Sequence, residues 1–354
     1  MTEEYLNLKN DEIAFPNLGL KFDADPTAFS IFGFDVQWYG VVITIGMVLA
    51  IFYCFSRMKK YGIDPDRAID AVIGGIVGGI VGARLYYVVL EWDQYKNNIA
   101  DIFNLRLGGL AIYGGIIGAL LVGGIVARLR KVRLLPLLDL VGQGFLIGQC
   151  LGRWGNFFNQ EAFGCNTDSI FGMTGGRIQH WIASSYATSQ FYNNLGVELD
   201  PAMPVHPCFL YESLWCLIGF IILAIVSKKF RKFDGQIFLM YIAWYGLGRS
   251  FIEGLRTDSL VIGSIRVSQA LAIVCFVTAV ILLIVFGLKV KRMGSDYVLY
   301  CNTDESKQLL KQAEEARQKK NKKADAEADV FENNTNDKEN QHDETAKADN
   351  NEEE

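Results

Sequence analysis

The sequence predicts an all-α integral membrane protein, a bundle of seven transmembrane helices. Three observations predict it. Seven apolar runs recur along the chain, at about 38–56, 68–90, 108–127, 136–152, 207–227, 236–253 and 266–288, and each can cross a hydrocarbon core of about 30 Å as a helix. Half of all residues, 51%, are hydrophobic. Lys and Arg gather in every second connection: Arg57, Lys59, Lys60 and Arg67; Arg128, Arg130, Lys131 and Arg133; Lys228, Lys229, Arg231 and Lys232; Lys289, Lys291 and Arg292. The intervening connections are poor in both, so the positive-inside rule places the N-terminus outside and the C-terminus in the cytoplasm. Four basic clusters require an odd number of spans, which agrees with the count.

The first 35 residues read as an external or interfacial segment. They are acidic and lack the basic start of a secretory signal, and the first apolar run begins too late for a cleaved one. The stretch Phe29-Ser30-Ile31-Phe32-Gly33-Phe34 has the aromatic character of a membrane interface. Residues 36–290 form the membrane domain, in which the fourth and sixth runs are short or carry charge. Glycine pairs (Gly74-Gly75, Gly78-Gly79, Gly114-Gly115, Gly123-Gly124) suit close helix packing. No strand precedes them, so they do not read as a phosphate-cradling loop. Residues 157–206 make a connection too long to be a simple turn. With Trp181, Tyr186, Phe191 and Tyr192 among small polar residues, it reads as an external subdomain where a second substrate docks. Residues 291–354 read as a charged, largely disordered cytoplasmic tail. The chain through residue 300 carries about +2 and the remainder about −7. Residues 304–325 are compatible with a transient helix.

Backbone constraints say nothing of chemistry; the polar residues do. Each can be assigned to an end of its span. Tyr39 opens the first. Arg84, Tyr86 and Tyr87 sit late in the second, and Tyr113 early in the third. Arg153, Asn156, Asn159 and Glu161 close the fourth. His206, Tyr211 and Glu212 open the fifth. Tyr245, Arg249 and Glu253 sit late in the sixth, and Arg266 and Gln269 open the seventh. All fall in one layer, level with the outer leaflet's headgroups, whereas snorkelling side chains would use both faces. Tyr245, Arg249 and Glu253 are four apart and share a helix face. That stripe alone also suits a self-neutralising Arg–Glu pair. Arg153 adds a second guanidinium, and arginine suits bidentate contact with phosphate. Polar residues at lipid depth are functional candidates.

Other chemistries find less support. No metal-ligand spacing occurs, and no cofactor or nucleic-acid partner is expected. Cys54, Cys150, Cys216 and Cys275 fall in apolar spans. Cys165 and Cys208 fall in or near the long connection and allow a bridge, which nothing in the spacing demands. An anion transporter needs polar residues through both leaflets, yet the cytoplasmic halves look apolar apart from Asp70 and Asp139. Other headgroup transferases commonly use acidic metal motifs facing the cytoplasm, and none appears.

Taken in order, several motifs resemble the prolipoprotein diacylglyceryl transferase family. They are Trp38-Tyr39-Gly40, Gly82-Ala83-Arg84-Leu85, Gly108 through Gly115, Gly152-Arg153-Trp154-Gly155-Asn156-Phe157-Phe158-Asn159-Gln160-Glu161, His206-Pro207 with Leu210-Tyr211-Glu212, and Tyr245-Gly246 through Arg249, Glu253 and Arg256. The resemblance covers nearly all of residues 36–290. It implies transfer of the diacylglyceryl group of phosphatidylglycerol to the lipobox cysteine thiol of a prolipoprotein, with a thioether formed and glycerol phosphate released, at the outer leaflet of the cell membrane. It implies catalytic roles for Tyr113, Arg153, Arg249 and Glu253. It implies a phosphatidylglycerol site of Tyr39, Arg84, Arg153, Asn156, Asn159, Glu161, Tyr245 and Arg249, with His206, Tyr211 and Glu212 in support. Many family members have histidine where this chain has Tyr113, read there as the base for the thiol. Tyrosine titrates near about 10 and a thiol near about 8.5, so neutral Tyr113 is a poor acceptor and reads as an orienting donor. The proton acceptor stays open among Glu253, Glu212, His206 and the positive field of the arginines, which favours a thiolate.

Overall fold

The computed structural model describes residues 3–96, 98–104, 108–184, 199–259, 261–262, 265–319 and 321–322. It divides into two units, Met1–Tyr300 and Cys301 onward. Within the second, residues 304–319 are helical. Half of the expected tail, 323–354, lies outside the described residues, as do Tyr186, Phe191 and Tyr192.

Seven long helices build the first unit. Helix α1, Trp38–Arg57, ends in a 3-10 turn closed by Gly62, whose φ of 76° needs no Cβ. Helix α2, Pro65–Leu90, starts on proline, whose missing N–H costs nothing in a first turn. Helix α3, Ile112–Leu129, starts four residues later than expected because Gly108 and Gly109 both take positive φ. Helix α4, Leu134–Asn159, runs two turns past its expected end and stops at Gln160, φ 55°. The block from Gly152 to Asn159 is therefore helical rather than a segment after the span. A short helix, α5, Gly176–Ser184, lies in the long connection. Then come α6, Cys208–Lys229, α7, Gln236–Leu255, and α8, Val267–Met293.

Six of these helices are long and apolar enough to cross a membrane: α1 to α4, α6 and the one starting at Val267. Large apolar side chains such as Phe52, Val89 and Leu121 cover their outward faces, which suits hydrocarbon rather than water. The chain is a mostly helical, multi-pass membrane protein. The sixth expected span, α7, is a continuous helix of 20 residues but is not among the six. Arg249 and Glu253 lower its apolarity, and they pair with each other.

Strands appear where none was expected. Strand β1, Glu12–Phe15, pairs antiparallel with β2, Leu20–Asp23. Strands β3, Thr27–Ile31, and β4, Phe34–Gln37, form a hairpin turned by Phe32 and Gly33, both at positive φ. The aromatic stretch Phe29–Phe34 is thus a hairpin, with Phe32 98% exposed at its tip. Strand β5, Thr174–Gly175, joins the other edge of β1, so the N-terminal segment and the long connection share one sheet. A last pair, β6 Val261–Ile262 and β7 Ile265–Arg266, precedes α8. Ile13, Met173, Ile178, Val205, Phe157 and Phe209 make one core, which seats the sheet on the end of α4 and the start of α6.

The opposite end of the bundle is more polar inside than the sequence suggested. Gln143 is fully buried; it accepts from Tyr53 Oη at 2.7 Å and donates to Tyr61 Oη at 3.1 Å. Tyr61 also meets Ser227. Asp139 accepts the backbone N–H groups of Gly235 and Phe238, each at 2.9 Å, and so caps α7. These partners satisfy one another and join helices, as buried polar groups in a bundle do.

Candidate active site

Glu212 lies one turn inside α6 and is 2% exposed. A carboxylate there needs counter-charge, and two helices supply it. From α4, Arg153 Nη2 donates to Oε1 at 2.5 Å. From α7, Arg249 Nη1 donates to Oε2 at 3.1 Å, and Tyr245 Oη donates to Oε1 at 3.1 Å. The i, i+4 stripe of α7 thus faces α6 as its spacing predicts. Arg249 Nη2 also pairs with Glu253, whose Oε2 has no aligned hydrogen bond among the described residues; that contact is electrostatic.

The α4 block extends the network. Arg153 Nη1 donates to Asn156 Oδ1 at 3.4 Å, a long contact. Asn156 Nδ2 and Asn159 Nδ2 both donate to Glu161 Oε1, at 2.9 and 3.3 Å. These residues meet because α4 continues to Asn159 and turns sharply at Gln160. Tyr39 packs closely on this helix: a Cβ on Gly155 would fall 2.5 Å from Tyr39 Cδ2. Trp38 stacks on Phe158 with centroids 5.2 Å apart.

Below the cluster, two tryptophans fix α6 against α7. Trp215 Nε1 donates to the Trp244 carbonyl and Trp244 Nε1 to the Trp215 carbonyl, each at 2.9 Å, with the rings stacked 4.4 Å apart. Each ring fills the space left by a glycine on the other helix: Trp215 against Gly248, Trp244 against Gly219. The sequence carries a signal for this clasp, a Trp four residues before a Gly in two successive spans, which sequence reasoning missed. It also ranked Glu212 as supporting, where the structure makes it the hub.

Other expected site residues lie apart from this cluster. Arg84 is engaged elsewhere. Nε donates to Ile102 O, Nη1 to Gly108 O and Gly109 O, and Nη2 to Asp101 O and Asn104 O. A guanidinium has five N–H groups, and all five hold the connection before α3, leaving none for a phosphate. The guanidinium also lies over the Tyr95 ring. Tyr113, 39% exposed in the first turn of α3, makes no hydrogen bond to the cluster among the described contacts. His206 Nδ1 faces Tyr211 Oη at 3.1 Å, and burial lowers its pKa, favouring the neutral ring. Arg256 grips Asp258 through Nε and Nη2 at 2.8 and 2.6 Å. Burial works against the Asp258 charge, but that grip still holds the carboxyl below its ordinary range. Arg266 donates to the carbonyls of Glu253 and Gly254, closing the end of α7. Cys165 and Cys208 are both free thiols.

Among the described residues no three His, Cys, Asp or Glu side chains converge as metal ligands. An apolar groove of about 460 Å³ runs between α2 and α3 past Val77, Val81, Leu85, Ile117 and Leu121. It is a seam on the lipid-facing side and holds none of the cluster's residues. What the cluster offers is two partly exposed guanidinium forks, Arg153 and Arg249 at 21% and 17% of their side chains, converging on one buried anion. A phosphate suits such a pair of forks.

Fold and site together define a polytopic helical membrane protein with two arginines gathered on a buried carboxylate at one end of its bundle. A family model described as prolipoprotein diacylglyceryl transferase matches residues 26–285. Relatives named phosphatidylglycerol–prolipoprotein diacylglyceryl transferase are similar over most of their length. That of Clostridium novyi is 41% identical over 267 residues, 75% of this chain and 98% of the relative. That of Listeria monocytogenes is 41% identical over 266 residues, 75% and 91%. That of Finegoldia magna is 40% identical over 258 residues, 73% and 94%. The chain belongs to the prolipoprotein diacylglyceryl transferase family.

Proposed function

We propose that this transferase moves the diacylglyceryl group of phosphatidylglycerol to the lipobox cysteine of a prolipoprotein, the first step of lipoprotein maturation, at the outer leaflet of the cell membrane. One observation carries the assignment of the site: Arg153 and Arg249, from different helices, converge on the single carboxylate of Glu212. The same two forks hold the lipid phosphate and stabilise charge on the departing glycerol phosphate. Asn156, Asn159 and Glu161 shape the headgroup pocket, while Tyr39 and Tyr245 orient the glycerol and the arginines. Glu253 steadies Arg249. Tyr113 acts as an orienting donor at the mouth, and His206 with Tyr211 braces the start of α6.

All seven long helices cross the membrane, α7 included, because its charged residues pair inside the bundle. The N-terminus lies outside and the C-terminal segment in the cytoplasm, a reading the basic clusters support. The sheet of β1, β2 and β5, with the described residues 157–184 and 199–206, caps the site on the outside, where the signal peptide of the protein substrate docks. Lipid arrives and product leaves sideways between helices.

The test is direct. Purified protein is incubated with phosphatidylglycerol and a lipobox peptide, and the peptide is weighed by mass spectrometry. A gain of one diacylglyceryl group is expected, together with its loss in Arg153→Ala and Arg249→Ala. No gain, or equal gain in the two variants, overturns the reading.

A further inference from the structure

The transfer must relocate one proton. A thiol enters, and a phosphodiester monoanion leaves as a phosphomonoester. We propose that Glu212 holds the place of the lipid phosphate in the ligand-free protein and becomes the thiol's proton acceptor once the phosphate has displaced it from the two arginines; this rests on the transfer reading of the same site.

Four observations support it. Glu212 is the one carboxylate, among the described residues, joined to both Arg153 and Arg249. Its two oxygens take one fork each, as two oxygens of a phosphate would. With Glu253 also counted, two guanidiniums face two carboxylates, so the resting cluster has no net charge to attract an anion. A phosphodiester gains the arginines only by exchange. Both arginine side chains keep some exposure while Glu212 has almost none, so the arginines can turn to a ligand and uncover the carboxylate behind them.

The exchange changes what surrounds Glu212. Arg153 faces it from α4, and Tyr245 and Arg249 face it from α7, with Glu253 paired to Arg249 on the same helix. Arg256, beyond α7, and Cys208 and Cys216, on its own helix, lie within electrostatic reach. When the phosphate takes the two arginine contacts, the carboxylate keeps Tyr245 and loses its nearest cations. An ionised carboxylate is an acceptor only, so the two oxygens released by the arginines are open to a proton donor brought beside them. The rival acceptors are placed worse. Glu253 is tied to an arginine of its own helix, His206 faces Tyr211, and Tyr113 stands apart.

The step balances. The thiol S–H proton passes to Glu212, and the sulfur lone pair attacks the glyceryl carbon that carries the phosphate. The C–S bond forms as the C–O bond breaks. The leaving phosphate oxygen takes the bond electrons and then the proton from Glu212, which returns to the arginines as glycerol phosphate departs. Because Glu212 is covered until lipid binds, the order is lipid first and thiol activation second.

The test compares wild type with Glu212→Gln and Glu212→Asp in nanodiscs, using phosphatidylglycerol and two peptides, one with cysteine in the lipobox and one with selenocysteine, which is already ionised at neutral pH. Glu212→Gln is expected to bind phosphatidylglycerol as tightly as wild type or more tightly, since the competing anion is gone. Its transfer to the cysteine peptide falls by about 10²–10⁴-fold, the usual worth of a positioned base, and the selenocysteine peptide restores it to within about tenfold. Glu212→Asp keeps the carboxylate and retains measurable transfer to cysteine. Three results overturn the proposal: undiminished cysteine transfer by Glu212→Gln, no rescue by selenocysteine with lipid bound, or lipid binding lost together with transfer in both variants. If wild type loads neither peptide, the transfer reading itself fails instead.

Discussion

The α2–α3 pair and the α4–α6–α7 group solve the same packing problem in opposite ways. Water drives neither together, because lipid is as apolar as the helices. Helices α2 and α3 meet backbone to backbone: a Cβ on Gly78 would fall 2.6 Å from the Gly118 carbonyl oxygen, and one on Gly118 would collide with that of Gly78. Helices α4, α6 and α7 are held by side chains instead, through the Glu212 hub, the paired tryptophans and Asp139 capping α7. The first device, the glycine contact, itself carries no charged side chain. The second keeps charged groups inside the bundle at fixed positions, which suits a site that must be pre-organised. The charged cluster therefore sits where α4, α6 and α7 meet, beside a pair held by glycine packing.

The comparison breaks first at the arginines. Arg153→Ala and Arg249→Ala should each lower transfer by about 10²–10³-fold, or about 2.7–4 kcal/mol, the typical cost of removing a donor that stabilises developing charge. The double variant should lose less than the product of the two, since both act on one anion. Full multiplicative loss, measured as kcat/KM on the lipobox peptide, would show that they serve separate groups.

The glycine seam should respond in the other currency. Gly118→Val forces a side chain into the Gly78 carbonyl and should cost about 1–3 kcal/mol or more of stability, read as a lower melting temperature, with transfer per folded molecule retained. Gly124 sharpens the point, because a Cβ there meets nothing within 4 Å. Gly124→Ala should be neutral, or stabilising by up to about 1 kcal/mol through helix propensity. Equal destabilisation by the two changes would show that the seam is not what holds α2 to α3.

The tryptophan clasp lies between these cases. Trp215→Phe keeps most of the stacked area and removes one N–H bond to the Trp244 carbonyl. About 0.5–1.5 kcal/mol of stability should go, and transfer should fall only through the resulting looseness of α6 against α7. A Trp244→Phe variant should match it, because the two bonds are equivalent. A large difference between the two would mean that the clasp is not reciprocal in solution.

How legible this was follows the physics of each part. Long apolar runs and basic clusters read directly, because bilayer thickness and potential act on composition over many residues. The stripe Tyr245, Arg249, Glu253 read directly because four-residue spacing has one meaning on a helix. Arg84 did not: an arginine at lipid depth signals polar partners without saying whether they are ligands or, as here, five carbonyls of its own chain. Strand β1 did not either, since its partner β5 is about 160 residues away and only two residues long. Glu212 was seen but underweighted. Its importance lies in being touched from two other helices, and a linear pattern cannot carry that. The Trp–Gly repeat was there to be read in 215/219 and 244/248; pairing the two spans in space gave it meaning.

The smallest expected effect separates the hub from its rim. Arg256 and Asp258 form an ion pair just beyond α7, with Asp258 partly exposed. Its carboxyl is held below the ordinary range by Arg256 against the opposing effect of burial. A group with a folded pKa below its unfolded value, about 3.9 for Asp, stabilises the fold fully above the unfolded value and loses that contribution as pH falls through the folded one. Wild type and Asp258→Asn should therefore differ slightly in melting temperature at neutral pH, and the difference should shrink as pH falls below about 3.9 and vanish only once pH lies below the folded pKa. Solvent screening keeps it modest. Transfer at neutral pH should change little if the pair belongs to the rim. A loss in Asp258→Asn as deep as that of Arg249→Ala would instead join Arg256 to the anion site and move the boundary of the polar cluster outward by one arginine.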